Sequence, residues 1–469
     1  MIFTELRFLG FFLAVFALHW SLPSLRARHV LLLAASYLFY GAWDVRFLGL
    51  VILSTLVDFT AGRLVGQIDH PKYRQAILAG SLVINLGVLG LFKYFNFFAT
   101  SFAALLHSLG VEAAPTTLQL ILPVGISFYT FQSISYTVDV YRRVLKPERD
   151  LINFATFVAF FPQLVAGPIV RAIDFLPQLA VQKRLEDVAW RPLLLLFLTG
   201  YVKKAVLSDN LAPYVDAFYA QPGAFDVASH WIGILAYAAQ IYCDFSGYTD
   251  MAIATAGLLG YSLCLNFNHP YLAVSPRDFW RRWHISLSTW LRDYVYIPLG
   301  GGRGTSLRVS LNLMTTMLLG GLWHGAAWTF VFWGALHGIA LVGDRLWRQV
   351  APLPAGELSL SRRLLGWSFT MLLVLVGWVF FRAPDFSTAL SVLGGPLGRT
   401  AGTAALPSVL WVYLAVCFGV QLLTALKTTP PLTLLNLSWP RFAFAYGVLV
   451  GFSLLLINTG YRAFIYFQF

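Results

Sequence analysis

Two stretches, DFWRRWHISLSTWLRDYVYIPLGG (Asp278–Gly301) and LLGGLWHGAAWTFVFWGALHG (Leu318–Gly338), decide how the rest of the chain is interpreted. They place His284, His324 and His337, together with a cluster of arginines, in a chain that otherwise avoids polar residues. Hydrocarbon does not solvate such side chains, so each must be buried against protein or must serve a function.

The composition indicates a membrane protein. The chain has 469 residues, of which 58% are hydrophobic and 12% charged, whereas about 25% are charged in a typical soluble domain. Its mean hydropathy is +0.69. Continuous apolar runs of about 20 residues recur, and each is long enough to span a bilayer as a helix. We therefore predict an all-α polytopic membrane protein with roughly 11–13 transmembrane or re-entrant helices, forming one integral domain over residues 1–469.

The charge balance indicates an orientation. The formal net charge is +12, and Lys and Arg collect in short loops, which usually stay cytoplasmic. Placing the loop of Arg26 and Arg28 in the cytoplasm puts the N-terminus on the outer side, which is the periplasm in a Gram-negative cell. The lipid bilayer is the expected partner, and nucleic acid is disfavoured. The three cysteines have no paired spacing, so neither a disulfide framework nor a zinc site is expected.

Several spans carry breaks that can be predicted from local sequence. Asp44 and Arg46 predict two short helices or one broken helix. Asp58 is expected to pair with an arginine or to cap a helix break. The apolar runs predict a span over Leu118–Tyr141 kinked near Pro123, two spans within Val227–Leu265, and a pair, Leu311–Ala327 and Trp328–Leu346, on either side of the WHG segment.

The segment CDFSGYTDMA (Cys243–Ala252) is polar at a depth where polarity is expensive. Asp244, Ser246 and Asp250 lie close together there. We predict a non-helical break between two spans, because irregular backbone survives at membrane depth only where protein buries it or water reaches it. The three residues are thus predicted to line a cavity wall, and catalysis by the aspartates is less favoured.

Helical periodicity predicts one amphipathic helix over residues 277–301, suited to the membrane interface. One face is apolar, and His284 shares the other with the arginines. His324 instead lies among Gly, Ala, Leu and Trp residues, with no ionisable neighbour in sequence. A neutral imidazole there can accept a proton, although a buried core histidine is the common alternative. His337 is expected to be a core residue, and no metal site is predicted.

The chain resembles the membrane-bound O-acyltransferase superfamily, in the bacterial branch that O-acetylates alginate. The resemblance covers residues 30–384 and leaves the C-terminal helices of 385–469 without a signature. It rests on LLLAASYLFYGAW, LFKYFNF, LPVGISFYTFQSISYTVDVYR, FVAFFPQLVAGPIVR, QIYCDFSGYTDMAIA, NFNHPY, GWVFFRA and the two stretches quoted first.

This resemblance implies an O-acetyltransferase with helices around a central funnel or tunnel in the bacterial inner membrane. His324 matches the catalytic histidine of the superfamily, and His284 matches a second motif position that orients or stabilises charge. The donor is expected to be acetyl-CoA or another acyl thioester, with no resident cofactor. The residues expected to attract its phosphates are Arg277, Arg281, Arg282 and Arg292.

The resemblance also implies partners and leaves the acceptor open. Relatives of this branch act with a periplasmic or membrane-tethered SGNH-hydrolase-like acetyltransferase and with a polysaccharide synthase or secretion complex. The acceptor is expected to be a polysaccharide of the alginate or cellulose type, with peptidoglycan as a third option, acylated directly or through the partner. The alternatives are D-alanyl or other acyl transfer to a cell-wall polymer, or a transporter or flippase without chemistry.

Overall fold

The computed structural model of the protein describes residues 1–112, 114–351, 359–425, 433–458, 460 and 464–465. The secondary structure of these residues is helical apart from one isolated β-bridge, between Phe225 and Ala404. The predicted all-α class is therefore confirmed. The chain divides into two compact units, which are residues 1–193 with 252–264, and residues 194–251 with 265–469. The single integral domain, the central funnel and the number of crossings stay predictions.

The first unit is built mainly from nine helices near the N-terminus. The predicted break at Asp44 is present: α2 ends there, a short 3₁₀ turn follows, and the Asp44 carboxylate accepts a hydrogen bond from the Arg46 backbone N–H at 3.0 Å. The helices are α1 Leu6–Ser21, α2 Leu25–Asp44, α3 Leu48–Gln67, α4 Pro71–Leu89, α5 Phe95–Ser108, α6 Ile126–Tyr141, α7 Leu151–Ala159, α8 Phe161–Leu164 and α9 Ala172–Leu179.

The predicted span over Leu118–Tyr141 is wrong in its first third. Helix α6 begins only at Ile126, after Gly125 in a left-handed conformation with φ of 75°. Pro123 lacks a backbone N–H to donate, and a β-carbon at Gly125 would lie 2.7 Å from the carbonyl oxygen of Leu164. The chain thus enters α6 by a close backbone contact that only glycine permits.

Asp58 is buried without the arginine partner or helix break that the sequence predicts. Its Oδ1 accepts hydrogen bonds from the hydroxyls of Ser81 at 2.5 Å and Thr137 at 2.7 Å, and its Oδ2 accepts one from the Asn85 amide at 2.8 Å. Side chains from α4 and α6 therefore satisfy the carboxyl group on α3. Neutral hydroxyls and an amide can do this inside a bundle because each supplies a directed donor.

The second unit carries the histidines of interest. Its helices are α10 Trp190–Tyr201, α11 Asp209–Ala220, α12 Val227–Leu258, α13 Pro276–Trp280, α14 Ile285–Leu291, α15 Ser306–His324, α16 Trp328–Val350, α17 Leu360–Arg382, α18 Phe386–Gly394, α19 Leu410–Ala425 and α20 Trp439–Leu455, with the first residues of α10 and the last of α12 belonging to the first unit. The predicted boundary at the WHG segment is confirmed, because α15 ends at His324 and α16 begins at Trp328.

The predicted non-helical break at Cys243–Ala252 is wrong. Helix α12 runs without interruption for 32 residues through this segment. Its aspartates are paired with the lysines of a π-helical turn, Val202–Ser208, which follows α10. A continuous helix with buried ion pairs satisfies the backbone fully, so no irregular segment is required.

The helix lengths and surfaces suit a membrane. Among the described residues, three helical stretches are long and apolar enough to cross a bilayer: Leu25–Gln67, Pro71–Ser108 and Leu360–Arg382. Shorter apolar helices include Leu6–Ser21 and Trp439–Leu455. Large apolar side chains cover their outward faces, as on α17 and α20. Such a surface is stable only where lipid replaces water.

Candidate active site

His324 is positioned by a tight hairpin of α15 and α16. The helices approach so closely that a β-carbon at Gly321 would overlap the carbonyl oxygen of Phe330, and one at Gly334 would overlap that of Met317. Only glycine permits so close an approach of the two backbones at these positions. His324 is the last residue of α15 and precedes an extended turn, so its position is fixed by two packed backbones.

The His324 side chain lies in a cage of aromatic rings and is only 3% exposed. Its imidazole makes edge-on contacts with Trp323 and Trp333, both at 5.0 Å between ring centroids, and with Phe381 at 5.1 Å. These rings come from α15, α16 and α17. They exclude water from the imidazole and hold its orientation, which suits a group that exchanges protons with a reactant.

His284 reaches the same place from a different element. It separates α13 from α14 and adopts a left-handed backbone conformation with φ of 43°. Asn266 holds the start of α14: its carbonyl accepts the Ile285 N–H at 2.9 Å, and its side-chain oxygen accepts the N–H and hydroxyl of Ser286 at 3.1 and 2.9 Å. Asn266 thus fixes the backbone on which His284 is mounted.

The two histidines lie together, with ring centroids 6.2 Å apart. His284 is fully buried and also contacts Phe245 at 4.7 Å and Trp323 at 5.7 Å between centroids. Burial lowers the pKa of His284 to about 3, so its imidazole is neutral at physiological pH. Two imidazoles that face one dry region can divide the work of moving a proton and orienting a reactant.

The predicted continuous amphipathic helix over residues 277–301 is wrong. The segment contains α13, the left-handed turn at His284, α14 and a π-helical turn over Arg292–Tyr296. The break directs His284 into the core instead of onto the polar face with the arginines. The apolar stripe is partly right, because Trp283 and Leu287 are buried.

His337 lies closer to the site than a single helical wheel indicates. It is in the interior of α16, where its ring contacts Trp333 at 4.7 Å and Trp280 at 5.2 Å between centroids. Trp333 therefore contacts both His337 and His324. His337 is buried, as expected of a core histidine, and Trp333 connects it to the site.

The four predicted donor-binding arginines occupy two environments. Arg282 donates to Asp278 at 2.8 Å, and Arg292 donates to Asp293 at 2.6 Å. Arg277 and Arg281 are exposed and line a cavity beside α13. Binding of a donor by these residues stays a prediction.

The residues predicted as a cavity wall lie on α12, where Asp244 is buried and Asp250 is half-buried. Lys204 Nζ lies 2.6 Å from Asp244 Oδ1, and Lys203 Nζ lies 2.7 Å from Asp250 Oδ2. Asp244 Oδ2 also accepts the backbone N–H of Ile465 at 2.7 Å. Ser246 is buried. None of Asp244, Ser246 and Asp250 lines the cavity beside α13, and their lining of another cavity stays a prediction.

Sequence reasoning missed two contributors to the site. Asn266 is part of the quoted NFNHPY segment, but nothing in its spacing indicates that it caps a helix that begins nineteen residues later. The cage residue Phe381 lies in GWVFFRA and is brought to His324 only by tertiary packing. Among the described residues, no group of three or more His, Cys, Asp or Glu side chains is arranged to hold a metal ion.

Comparison with known proteins identifies the family. The model of the MBOAT, membrane-bound O-acyltransferase family matches residues 142–381. The chain belongs to this family. It is 46% identical over 393 residues to a "Probable alginate O-acetylase" of Azotobacter vinelandii, covering 83% of this chain and 76% of the relative. It is 37% identical over 424 residues to a peptidoglycan O-acetyltransferase of Helicobacter pylori, covering 84% and 78%. It is 30% identical over 271 residues to a teichoic acid D-alanyltransferase of Streptococcus thermophilus, covering 54% and 64%.

Membership of the membrane-bound O-acyltransferase family defines the protein in general terms. It is an enzyme, an acyltransferase, and a multi-pass membrane protein embedded in the lipid bilayer. Its reaction requires an acyl donor. The alternative of a transporter or flippase without chemistry is therefore wrong. The matched residues 142–381 include α12 to α16, and thus both histidines of the pair.

Proposed function

We propose that the enzyme transfers an acetyl group from a cytoplasmic thioester, acetyl-CoA being the simplest, across the inner membrane to a secreted polysaccharide of the alginate or cellulose type. The observation that carries the proposal is the pair of buried histidines, His284 and His324, whose rings lie 6.2 Å apart inside an aromatic cage. The relatives named for O-acetylation cover more of the chain, at higher identity, than the one named for D-alanylation.

His324 is the general base of the proposed reaction. An acceptor hydroxyl oxygen attacks the thioester carbonyl carbon while His324 takes its proton. The tetrahedral intermediate collapses, the carbon–sulfur bond breaks, and His324 returns the proton to the departing thiolate. The cage supports this role because an imidazole excluded from water and held in one orientation is a more effective proton acceptor. His284 supplies a neutral imidazole that orients the reactants or stabilises the developing charge.

The donor is proposed to arrive from the basic, cytoplasmic side. Arg277, Arg281, Arg282 and Arg292 form a positive surface on the segment that also carries His284. Phosphate groups of a coenzyme or carrier thioester are attracted to such a surface over several ångströms. The same rule, that basic loops face the cytoplasm, puts the loop of Arg26 and Arg28 inside and the N-terminus on the periplasmic side.

The acceptor side is proposed to involve partners. A periplasmic or membrane-tethered SGNH-hydrolase-like acetyltransferase takes the acetyl group on to the glycan, unless the glycan is acylated directly. A polysaccharide synthase or secretion complex supplies the chain. The second candidate is D-alanyl transfer to a cell-wall polymer, which is favoured only by the likeness to a teichoic acid D-alanyltransferase.

The test is acetylation of exopolysaccharide by cells that carry single variants of the full chain. His324→Gln should lower the acetyl content of the glycan, measured by mass spectrometry, by a factor of about 10²–10⁴, the usual contribution of a general base. His337→Gln is the matched control, since it replaces another buried histidine outside the proposed chemistry. Equal membrane levels of the variants must be verified first.

Two outcomes would contradict the proposed function. Full acetylation by His324→Gln would remove the general-base assignment. A glycan that lacks acetyl groups with or without the gene, together with D-alanine esters that depend on it, would replace the acetyl proposal with the second candidate.

A further inference from the structure

A large cavity lies in the second unit between α13, α16 and α17. Its volume is about 970 Å³. The cavity runs alongside α16 from Arg348 to Leu336, and alongside α17 from Arg362 to Leu373. Neither His284 nor His324 lines it. Arg277 and Arg281, which are proposed above to attract the donor, line it, and the reaction proposed above gives the rest of the cavity no role.

The cavity lining carries an excess of positive charge. Four arginines line it, Arg277, Arg281, Arg348 and Arg362, against two aspartates. Both aspartates are engaged in ion pairs: Arg282 donates to Asp278 at 2.8 Å and Arg348 to Asp344 at 2.9 Å.

The remaining three arginines of the lining are Arg277, Arg281 and Arg362. Within the part of the chain that the structure describes, no carboxylate lies within ion-pairing distance of these three. Three exposed guanidinium groups in the lining of one cavity favour a phosphate-bearing ligand, because guanidinium and phosphate form paired, charge-assisted hydrogen bonds.

Part of the cavity lining is apolar and exposed. Ile339, Leu365 and Phe369 line it and are 61%, 72% and 60% exposed. Leu365 and Phe369 belong to Leu360–Arg382, a helix long and apolar enough to cross a membrane. Side chains of this type are stable at such exposure only when hydrocarbon covers them.

A cationic residue and three apolar residues of the lining follow one face of one helix. Arg362, Leu365, Phe369 and Leu373 recur at steps of three and four residues along α17 and all line the cavity. At a rise of 1.5 Å per residue, this strip is roughly 16 Å long from its cation to its last apolar residue. A phosphate group at one end and an acyl chain along the remainder would match it.

We propose that this cavity binds an anionic phospholipid, with its phosphate at Arg362 and an acyl chain along Leu365, Phe369 and Leu373. Basic pockets beside membrane-spanning helices recognise anionic head groups in this way. A water-soluble thioester could bind the arginines through its phosphates. It would gain no binding energy from the apolar residues of α17 that face the lipid. The proposal does not depend on the acetyl-transfer proposal above.

The test is native mass spectrometry of the full chain in mild detergent, with added palmitoyl-oleoyl phosphatidylglycerol or the phosphatidylcholine of the same chains. The cavity variant is Arg362→Gln with Leu365→Gln, and the matched control is Arg363→Gln with Leu364→Gln. The control makes the same chemical changes on α17 at exposed residues that do not line the cavity. Both variants avoid the arginines assigned to the donor.

The wild-type chain should retain phosphatidylglycerol in preference to phosphatidylcholine. The cavity variant should lower the association constant for phosphatidylglycerol at least fivefold, the effect of about one arginine at an anionic head group, and the control should leave it within twofold. Equal retention of the two lipids, or equal losses in both variants, would overturn the proposal.

Two competitors distinguish the remaining occupants. Glycerol 3-phosphate carries the phosphate without chains, and displacement of the lipid by an equal concentration of it would reduce the cavity to a simple phosphate site. Acetyl-CoA carries phosphates on a soluble donor, and displacement of the lipid by it would make the cavity part of the donor site. Retention of the lipid against both competitors is the expected result.

Discussion

Replacement of Lys204 by Met should destabilise the second unit severely. Lys204 Nζ lies 2.6 Å from Asp244 Oδ1 and 2.7 Å from Asp209 Oδ1. The side chains of Lys204 and Asp244 are 3% and 2% exposed. The substitution leaves two carboxylates side by side with little access to water. Loss of one partner from a buried ion pair costs about 3–5 kcal/mol, which we expect as the fall in the free energy of unfolding.

Replacement of Asp209 by Asn should have a much smaller effect. Three charges interact here, one positive and two negative, so removing one carboxylate leaves a balanced pair of Lys204 and Asp244. The amide of the new side chain can still accept a hydrogen bond, and the expected change is within about 1 kcal/mol. The two variants should thus differ by at least about 2 kcal/mol, a factor of about 30 in the unfolding equilibrium.

The measurement is the free energy of unfolding in mixed micelles, titrated with SDS and followed by tryptophan fluorescence. A triple variant, Lys204→Met with both Asp209→Asn and Asp244→Asn, serves as the control. It removes the lysine together with both of its carboxylate partners, so neither carboxylate is left buried without Lys204. Its stability should exceed that of Lys204→Met alone, since uncharged replacement of a whole buried ion group is often nearly neutral. Equal losses for Lys204→Met and Asp209→Asn, or strictly additive losses in the triple variant, would refute the reasoning.

Three further predictions concern the histidine site. His284→Gly should be more stable than His284→Ala by about 1 kcal/mol, because only glycine adopts the observed φ of 43° freely; thermal inactivation in detergent measures this, and equal inactivation would speak against backbone strain. Gly321→Ala should destabilise the α15–α16 hairpin by about 1–3 kcal/mol through overpacking, whereas Gly419→Ala, whose β-carbon would meet no atom within 4 Å, should not destabilise the protein in the same assay. Trp333→Leu removes a ring 5.0 Å from His324 and should lower kcat by about twofold to tenfold without changing the donor KM; an unchanged kcat would show that the cage does not orient His324.

Features with local causes could be predicted from the sequence. The break at Asp44 follows from two charged residues between apolar runs, and the structure confirms it. The junction between α15 and α16 follows from small residues around His324. In both places the signal lies within a few residues of the feature, so no knowledge of the surrounding helices is required.

Features with distant causes could not be predicted. The polar segment of α12 indicates a break only if its aspartates lack partners, and the partners, Lys203 and Lys204, lie about forty residues earlier. Asp58 similarly depends on Ser81, Asn85 and Thr137 from two other helices. The sequence shows that a carboxylate in an apolar segment must be costly to bury. It does not show which distant side chain pairs with that carboxylate.

The position of His284 shows why a correct choice of residue can accompany a wrong local structure. A helical wheel assumes that every residue has helical dihedral angles, and a single residue with φ of 43° redirects all that follows. A non-glycine residue pays about 1–2 kcal/mol for that conformation, and the hydrogen bonds of Asn266 to Ile285 and Ser286 offset it. Strained residues that are held in this way cluster at functional sites. The left-handed conformation at His284 directs its side chain away from the arginines and toward His324. The backbone feature that makes the helical-wheel prediction wrong therefore also brings the two histidines together.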